Sequence, residues 1–485
     1  MAKVMLVNPP WYILQGASFN EIPLGLCYLA SFIKTKGHEV KVFNADFGEK
    51  KIRSYKKLYD GFSEYKSILN NLNNQVWKNV LEKILDFKPD VLGISLKTGS
   101  YKSGCNIAQL VKEYDSKIVT IAGGIHPTLQ KKEVAYSGFF DYVVKGEGEE
   151  TCSELLTALS EGKALDEIKG LVFLNNNNNL IETPDREFIA CLDDLPFPER
   201  EEIIERDKYS SDAVSVVMTT RGCPYNCTYC ASERIWRRKV RFRSPENVLK
   251  EIRQVKKKYN SKHFQIRDDL FTLKKERVLE ICSRINKDKL NITWQCEVRA
   301  DSLDEDIVKA MRNAGCIGAS VGVESGSDEI LTKIQKGETT KDLEKGIVLL
   351  KKYGINVGAF IMIGFPYEKE TQLYETMNFI KRLEPDHVIA SIVTPYPGTK
   401  MYEDAIDDGL IENEDLWEDF FHQSPKMGLT KDREGFNLIA QEILQEVERY
   451  NKAFGRRLKK KMRQFIRNPK AISKPVKSFV KRIGF

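Results

Sequence analysis

Several features that would assign this chain of 485 residues to a special class are missing. It has no run of 18 apolar residues, so no membrane-spanning helix is expected. Residues 1–5 lead into a strand pattern and do not resemble a secretory signal. All but three of the ten cysteines are scattered singly, which argues against a disulfide framework. With 41% hydrophobic and 30% charged residues, the chain is predicted to be a folded cytoplasmic protein of two or three domains.

The three remaining cysteines, Cys223, Cys227 and Cys230, are separated by three and then two residues. Glycine, proline and asparagine beside them indicate an irregular loop after the apolar run 213–218. Thiolate ligands select an iron–sulfur cluster or zinc. A closed zinc site needs four ligands, yet the chain offers no second cysteine pair and no His between Cys191 and Lys262. The spacing therefore favours a cluster held by three thiolates, which leaves one iron open to a ligand.

Residues 1–162 alternate short apolar runs with helical patterns, which predicts βαβ crossovers and a doubly wound parallel sheet. The predicted strands are 3–8, 39–44, 91–95, 117–122 and 142–145. The predicted helices are 24–36, 101–114 and 149–160. Ligands bind such sheets at the carboxyl ends of the strands.

Glycine and polar residues follow these predicted strands, among them Asn8, Ser95, Gly123, Gly124 and Glu147. Glycine allows a flat or nucleotide-like ligand to approach the backbone closely. Ordinary βα turns explain the same residues equally well, and the helix that follows Glu147 would stabilise its carboxylate at the N-terminus. No GxGxxG follows the first strand, so an ordinary dinucleotide site is disfavoured.

Residues 163–210 are predicted to be a connector, with a hairpin around the asparagine run 175–179 and an extended stretch at 193–198. Residues 211–400 alternate strands and helices again. The predicted strands are 215–219, 263–267, 292–297, 318–322, 357–363 and 387–392. The predicted helices are 245–259, 274–286, 304–313, 340–353 and 370–383. Six βα units predict a partial (β/α)6 barrel with its chemistry at the carboxyl ends of the strands.

Polar residues or glycine recur after these barrel strands: Asp268, Asp269, Arg299, Glu324, Ser325 and Gly364. A surface salt bridge or helix cap would explain any one of them, but their recurrence at the same end of successive strands favours a site. The two adjacent aspartates suggest a hydrolytic acid/base pair as an alternative. That alternative is disfavoured because neighbouring residues on an extended chain point to opposite faces.

The remaining residues lose this alternation. Residues 401–451 are predicted to form a mainly helical cap, with helices at 403–410 and 437–458. The tail, residues 452–485, has 13 Lys or Arg and no acid between Lys452 and Arg482, with apolar residues interleaved. Such a tail suits an anionic membrane surface or, as a second interpretation, nucleic acid. A solvated tail is the third interpretation, since Pro469 and Pro475 interrupt any continuous helix.

The cysteine loop resembles the CxxxCxxC signature of the radical S-adenosylmethionine superfamily, with Tyr229 as the aromatic residue before the last cysteine. The resemblance implies that Cys223, Cys227 and Cys230 hold a [4Fe–4S] cluster. The open iron would chelate the amino and carboxylate groups of S-adenosylmethionine, whose reductive cleavage yields a 5′-deoxyadenosyl radical. By the same resemblance, the cofactor-binding residues are Tyr229 and Gly364 near the adenine, and Arg299, Glu324 and Ser325 around the amino, carboxylate and ribose groups.

The order of motifs in residues 1–162 resembles the cobalamin-binding domain that precedes the radical core in one branch of that superfamily. The resemblance implies that Asn8, Ser95, Gly123, Gly124 and Glu147 surround cobalamin. The chain lacks the DxHxxG pattern that supplies an axial His. The histidine at position 126 belongs to a GGxHPT motif and is expected to shape the loop.

The resemblance implies a cobalamin-dependent methyltransferase that acts on an unreactive carbon of a small molecule and receives single electrons from a flavodoxin or ferredoxin. The basic tail adds the hypothesis of a lipid or lipid-linked substrate and of peripheral contact with the inner face of the membrane. One alternative is a radical cyclase, oxidoreductase or rearrangement enzyme in which cobalamin is absent or donates no methyl group. Another is a nucleic-acid-binding protein with a structural cluster, which is disfavoured because no RNA-binding module is present. A methylthiotransferase acting on RNA is less favoured still, because Cys27, Cys105 and Cys152 form no additional cluster triad.

Overall fold

A computed structural model describes residues 1–17, 20–48, 55–411 and 416–453. The strands are β1 Lys3–Asn8, β2 Glu39–Asn44, β3 Val91–Ser95, β4 Val119–Gly123, β5 Tyr142–Val144, β6 Leu171–Leu174, β7 Leu180–Glu182, β8 Val216–Val217, β9 Thr220–Arg221, β10 Arg241–Phe242, β11 His263–Ile266, β12 Thr293–Val298, β13 Cys316–Glu324, β14 Asn356–Ile363 and β15 His387–Ile392.

The helices are α1 Leu24–Thr35, α2 Tyr55–Asp60, α3 Phe62–Leu69, α4 Gln75–Phe87, α5 Tyr101–Tyr114, α6 Ile125–Leu129, α7 Lys131–Tyr136, α8 Gly148–Glu161, α9 Ser211–Val214, α10 Ser232–Trp236, α11 Pro245–Tyr259, α12 Lys275–Lys287, α13 Glu305–Asn313, α14 Asp328–Lys333, α15 Thr340–Lys352, α16 Glu370–Leu383, α17 Lys400–Asp407 and α18 Arg433–Lys452. None of these helices, within the described part of the chain, is long and apolar enough to cross a bilayer.

The first sheet has the strand order β2-β1-β3-β4-β5-β6-β7. Strands β1 to β5 run parallel, as predicted, and helices cover both faces, with α1 and α8 on one side and α4 and α5 on the other. The hairpin predicted for the connector, β6 and β7, continues this sheet in antiparallel fashion from β5. The sequence of the hairpin predicts its turn. It does not predict that β6 pairs with β5, because that pairing depends on a separate segment of the chain.

The second sheet has the order β15-β14-β13-β12-β11-β8, with all neighbours parallel. Consecutive strands are neighbours with helices between them, which confirms the partial (β/α)6 barrel. Alternate residues of β12, β14 and β15 are buried against the helices, and the residues between them are only half-buried. The inner face of the sheet is therefore open enough to receive ligands.

The first barrel strand is shorter than predicted. The prediction was 215–219, but β8 ends at Val217. Beyond Met218, the backbone N–H groups of Thr219 and Thr220 donate to the carboxylate of Asp268 and do not extend the ladder. The chain then pairs β9 with β10 before it enters the cysteine loop.

The described C-terminal segment joins the two sheets. In the segment 417–423, which we call the strap, Phe421 is fully buried against Tyr65 in the core of the first sheet. The backbone carbonyl of the next residue, His422, accepts the N–H of Ile392 of β15 at 2.7 Å. Helix α18 begins earlier than predicted because Asp432 caps it through the N–H of Gly435. Residues 454–485, nearly all of the predicted basic tail, lie outside the described residues.

Candidate active site

The three cysteines predicted to bind metal lie in the loop between β9 and α10. All three are free thiols and are partly buried. Within the loop, Thr228 donates its N–H to the carbonyl of Ile334 at 3.0 Å and accepts the N–H of Met401 at 2.9 Å. Contacts with the end of α14 and with α17 therefore hold the backbone of the loop in place.

The three candidate ligands of this loop are all thiols. Across the described ranges, no three His, Cys, Asp or Glu side chains converge closely enough to hold one metal ion. The donor set, three cysteine thiols within eight residues, is of the kind that iron–sulfur clusters use. Burial raises the pKa of Cys230 to about 11 and also raises the pKa values of Cys223 and Cys227, so metal binding would displace their protons. The three cysteines fit a [4Fe–4S] cluster.

Four buried charged side chains form a cluster beside the cysteine loop. Lys336 Nζ lies 3.5 Å from Glu324 Oε1 and 3.4 Å from Glu338 Oε2. Arg299 Nη2 lies 3.6 Å from Glu338 Oε2, and its guanidinium stacks 3.7 Å from the ring centroid of Tyr225. Burial lowers the pKa of Lys336, but the two glutamates outweigh this effect and raise it. Alternating cations and anions of this kind suit a zwitterionic ligand.

Two members of this charged cluster were missed by the sequence analysis. Lys336 and Glu338 lie in the turn after α14, where no motif distinguishes them from surface charges. Their predicted neighbours Arg299 and Glu324 are brought together as expected from their positions after β12 and β13. The sequence shows two opposite charges flanking Gly337, but the positive φ of +71° at this glycine is known only from the structure.

Tyr229 and Ser325, two further predicted cofactor contacts, have different surroundings. Tyr229 shares a hydrogen bond with Glu324, and burial raises its pKa well above the usual value. Ser325 is fully buried, and its Oγ lies 3.2 Å from both Thr376 Oγ1 and the backbone nitrogen of Ser327. Tyr229 therefore belongs to the charged cluster, whereas Ser325 packs against α16, and its role as a ligand stays a prediction.

Gly364 has φ +92°, a conformation that favours glycine. Its N–H donates to Glu368 Oε2 at 2.7 Å. A Cβ atom at this position would lie 2.5 Å from Cζ of Phe436 on α18. Phe436 thus makes the close approach that requires glycine here, and contact between Gly364 and adenine stays a prediction.

The adjacent aspartates do not form an acid/base pair. Asp268 is buried and accepts hydrogen bonds from Thr219 and Thr220, whereas Asp269 accepts the hydroxyl of Ser232 at 3.1 Å. The two side chains therefore serve different segments on either side of the cysteine loop. This outcome agrees with the interpretation that opposite faces of the chain separate them.

A groove of about 220 Å³ runs along the first sheet between the carboxyl ends of its strands and helices α1 and α8. Ser95, Gly123, Gly124 and Glu147 line it, as predicted for a ligand at this edge, together with apolar residues of β1, β3 and β4. A Cβ atom on Gly25 or Gly146 would meet no atom within 4 Å, so glycine leaves open space here. The apolar walls of the groove and the glycines that leave space beside it fit the nucleotide-like portion of a large cofactor.

His126 lies beyond this groove in α6, enclosed by aromatic rings. Its ring centroid is 4.6 Å from that of Tyr101 and 5.2 Å from that of Trp417. Its Nδ1 lies 3.3 Å from Thr98 Oγ1, and burial lowers the pKa of the ring to about 3. A neutral histidine held in this way agrees with a role in shaping the loop.

Comparison with known proteins supports both halves of this description. Residues 217–380 match the family model of the radical SAM superfamily, and residues 12–156 match that of the B12 binding domain. An uncharacterized methyltransferase of Pyrococcus horikoshii is 33% identical over 417 residues, which cover 84% of each chain. The protein belongs to the radical SAM superfamily. Its B12 binding domain assigns it to the branch that the order of motifs resembles.

Further members and neighbours of the superfamily extend this comparison. The anaerobic magnesium-protoporphyrin IX monomethyl ester cyclase of Rubrivivax gelatinosus is 27% identical, over 83% of this chain and 70% of the cyclase. The structure of the radical S-adenosylmethionine methyltransferase TsrM of Kitasatospora setae, with cobalamin and a [4Fe-4S] cluster bound, matches with a TM-score of 0.66 and 18% identity. That match covers 85% of this chain and 76% of TsrM and supports the fold.

In this radical SAM enzyme, a cavity of about 290 Å³ at the carboxyl end of the first sheet also touches two residues of the barrel. The first sheet contributes Asn8 and Ser95, and the barrel contributes Val216 and Arg267. Asn8 donates to Asn44 Oδ1 at 2.8 Å, so its amide is oriented at the end of β1. The groove along the first sheet comes closer to the cysteine loop, because Arg221 and Trp236 on either side of the cysteines line it.

Proposed function

We propose that the protein is a cobalamin-dependent radical S-adenosylmethionine methyltransferase that acts on an unreactive carbon. The observation that carries this proposal is that the groove of the first sheet reaches the cysteine loop, because Arg221 and Trp236, which flank the three cysteines, form part of its wall. A methyl donor above the first sheet and a radical source above the barrel must both reach one substrate. Such a reaction depends on holding the reacting atoms close together, and the contact between the groove and the cysteine loop brings the two sites near each other.

The residues around the cysteine loop have distinct tasks in this proposal. Cys223, Cys227 and Cys230 bind the cluster. Lys336 binds the carboxylate of S-adenosylmethionine, while Glu324 accepts hydrogen bonds from its amino group. When bound, the cluster and S-adenosylmethionine supply hydrogen abstraction from carbon, and cobalamin supplies the methyl group.

The adjoining residues orient these groups. Glu338 pairs with both Lys336 and Arg299. This buried network holds the ammonium group of Lys336 in one position. The strap ties the core of the first sheet to β15 through Phe421 and the carbonyl of His422. Cobalamin occupies the groove lined by Ser95, Gly123 and Gly124.

We further propose an apolar small molecule, lipid or lipid-linked, as the substrate. A cavity of about 590 Å³ between α5, α7 and α17 has a mixed wall, with aromatic and aliphatic side chains beside polar and charged ones: Tyr101, Tyr402, Ile406, Ile411, Leu416, Trp417 and Phe420, with Asn70, Lys102, Glu133 and Glu418. This wall does not select an apolar occupant, so the proposal of a lipid rests on the basic tail. The predicted basic tail supports a location in the cytoplasm, in contact with the inner face of the membrane. Equal binding of full-length and tail-deleted protein to anionic liposomes would remove that support.

Labelled S-adenosylmethionine tests the methyl transfer. Cell extract is first separated into a lipid and an aqueous fraction. Each fraction is then incubated with anaerobically reconstituted protein, hydroxocobalamin, a one-electron reductant and S-adenosylmethionine deuterated in the methyl group. A product that carries the labelled methyl group is expected, and the fraction that contains it reports the substrate class. Cys227→Ala protein is the matched control for background transfer.

A radical cyclase is the second candidate function, and the magnesium-protoporphyrin IX monomethyl ester cyclase supports it. The same experiment separates the two. A product that lacks the label and has lost hydrogen, or is an isomer of its substrate, would replace methyl transfer with ring closure or rearrangement.

A further inference from the structure

The arginine just before the cysteine loop reaches into the first sheet's domain. Arg221 of β9 precedes Cys223 by two residues. Its Nη1 lies 2.5 Å from Glu147 Oε1, and its Nη2 lies 2.6 Å from Glu149 Oε1. One guanidinium thus joins two carboxylates, that of Glu147 at the cap of α8 and that of Glu149 in its first turn. We call Arg221, Glu147 and Glu149 the clamp.

The clamp is buried on both sides. The side chains of Arg221, Glu147 and Glu149 expose at most 8% of their surface. The second oxygen of Glu147 accepts Arg241 Nη1 at 2.7 Å and the N–H of Ile189 at 2.8 Å. Loss of one partner would leave a buried charge uncompensated, which a protein tolerates poorly. The clamp therefore restricts how far the cysteine loop can move relative to the first sheet.

The same residues line the groove along the first sheet. Glu147, Glu149 and Arg221 are all part of its wall, and Trp236, at the end of α10 after the cysteine loop, completes it. The wall of the groove is thus built partly from the two segments that flank the cysteines. Filling the groove would limit the positions open to Arg221 and Trp236, and ordering of the loop would limit the shape of the groove.

We propose that Arg221 is a positioning residue that couples the two cofactor sites, so that cobalamin in the groove and a cluster in the cysteine loop each strengthen binding of the other. This inference rests on the proposed function, because it takes cobalamin as the ligand of the groove. Coupling between two sites is reciprocal and commonly changes affinity about 5- to 150-fold. The residues that transmit it here are Arg221, Glu147 and Glu149.

The test compares hydroxocobalamin affinity in two states of the full-length protein. Absorbance titrations are made with cluster-reconstituted protein and with metal-free protein. We expect the dissociation constant of the wild type to be at least about fivefold lower with the cluster. In Glu149→Gln the ratio of the two dissociation constants should fall towards one, because a neutral amide replaces the carboxylate that pairs with Nη2 of Arg221. Glu150→Gln, which removes an exposed carboxylate of the same helix paired with Arg186, should keep the wild-type ratio.

A second readout does not require cobalamin titration. Iron release to a chelator from the reconstituted wild type should slow when hydroxocobalamin is added, and Arg221→Lys should lose most of this protection. Arg221→Lys keeps the positive charge, so it serves if Glu149→Gln fails to fold. Equal cobalamin affinity in the two states of the wild type, or an undiminished ratio in Glu149→Gln, would overturn the coupling alone. Absence of any cobalamin binding by folded, cluster-loaded wild type would overturn the proposed function as well.

Discussion

Asp268, which follows β11, fixes the end of the neighbouring strand by binding Thr219. Its Oδ1 accepts the backbone N–H of Thr219 at 2.5 Å, and its Oδ2 accepts the hydroxyl of the same residue. The same Oδ1 lies 3.0 Å from the N–H of Thr220. This contact ends β8 after two residues and directs the chain toward the cysteine loop.

Replacement of this carboxylate should loosen the loop. Asp268→Ala leaves three buried donors without an acceptor, and each costs about 1–3 kcal/mol of stability. We expect a lower urea midpoint and a lower iron content after reconstitution. Asp268→Asn retains one oxygen for the backbone donors and should recover part of both. Asp306→Ala, on an exposed ion pair with Lys275, is the control, and an equal effect there would argue against a special role for Asp268.

Each loop cysteine should be indispensable for the cluster. Single replacement of Cys223, Cys227 or Cys230 by Ala removes one of three ligands and should abolish formation of 5′-deoxyadenosine under reducing conditions, with iron content well below that of the wild type. Cys191→Ala, at an exposed cysteine elsewhere in the chain, should change neither. Retained 5′-deoxyadenosine formation in any of the three loop variants would contradict the assignment.

Lys336 should affect S-adenosylmethionine more than iron. Lys336→Met removes the cation that lies between Glu324 and Glu338, so the proposed carboxylate contact is lost. We expect the dissociation constant of S-adenosylmethionine to rise about tenfold or more, in line with the 1.5–3 kcal/mol of a charged hydrogen bond. Equilibrium dialysis measures it, with iron content as the check on the cluster. Lys333→Met removes a surface pair with Glu329 and should bind normally.

Gly364 should be sensitive to a single added carbon. Gly364→Ala places a Cβ atom 2.5 Å from Phe436 and keeps a positive φ. Overpacking of this kind costs about 1–3 kcal/mol, so the thermal midpoint should fall clearly. Gly138→Ala is the matched control, because Gly138 also has positive φ but meets no atom within 4 Å. Equal losses in the two variants would show that backbone conformation alone matters.

Local patterns in the sequence predict most of the fold. Apolar runs of four to six residues identify strands such as β1 and β14, and capping residues such as Thr339 mark helix starts. Position after successive parallel strands also predicts that Arg299 and Glu324 lie near the cysteine loop. These features depend on residues close together in the chain.

The remaining features depend on distant partners. Arg221 and Glu147 are 74 residues apart, and no periodicity relates them. The short β8 and the pairing of β6 with β5 likewise follow from contacts with other segments. Lysine is usually a surface residue. Lys336 becomes part of the site only because the turn after α14 contacts the cysteine loop, where Thr228 donates its N–H to the carbonyl of Ile334.

Cofactor content tests the central proposal most directly. Protein purified anaerobically, reconstituted with iron and sulfide and supplied with cobalamin is desalted and analysed for iron and cobalt, with its absorption spectrum, and then assayed for 5′-deoxyadenosine with a reductant. We predict about four irons and one cobalt per chain together with 5′-deoxyadenosine formation. Four irons and active cleavage without cobalt, in folded protein, would contradict a cobalamin-dependent methyltransferase and favour a radical enzyme whose first domain has another task.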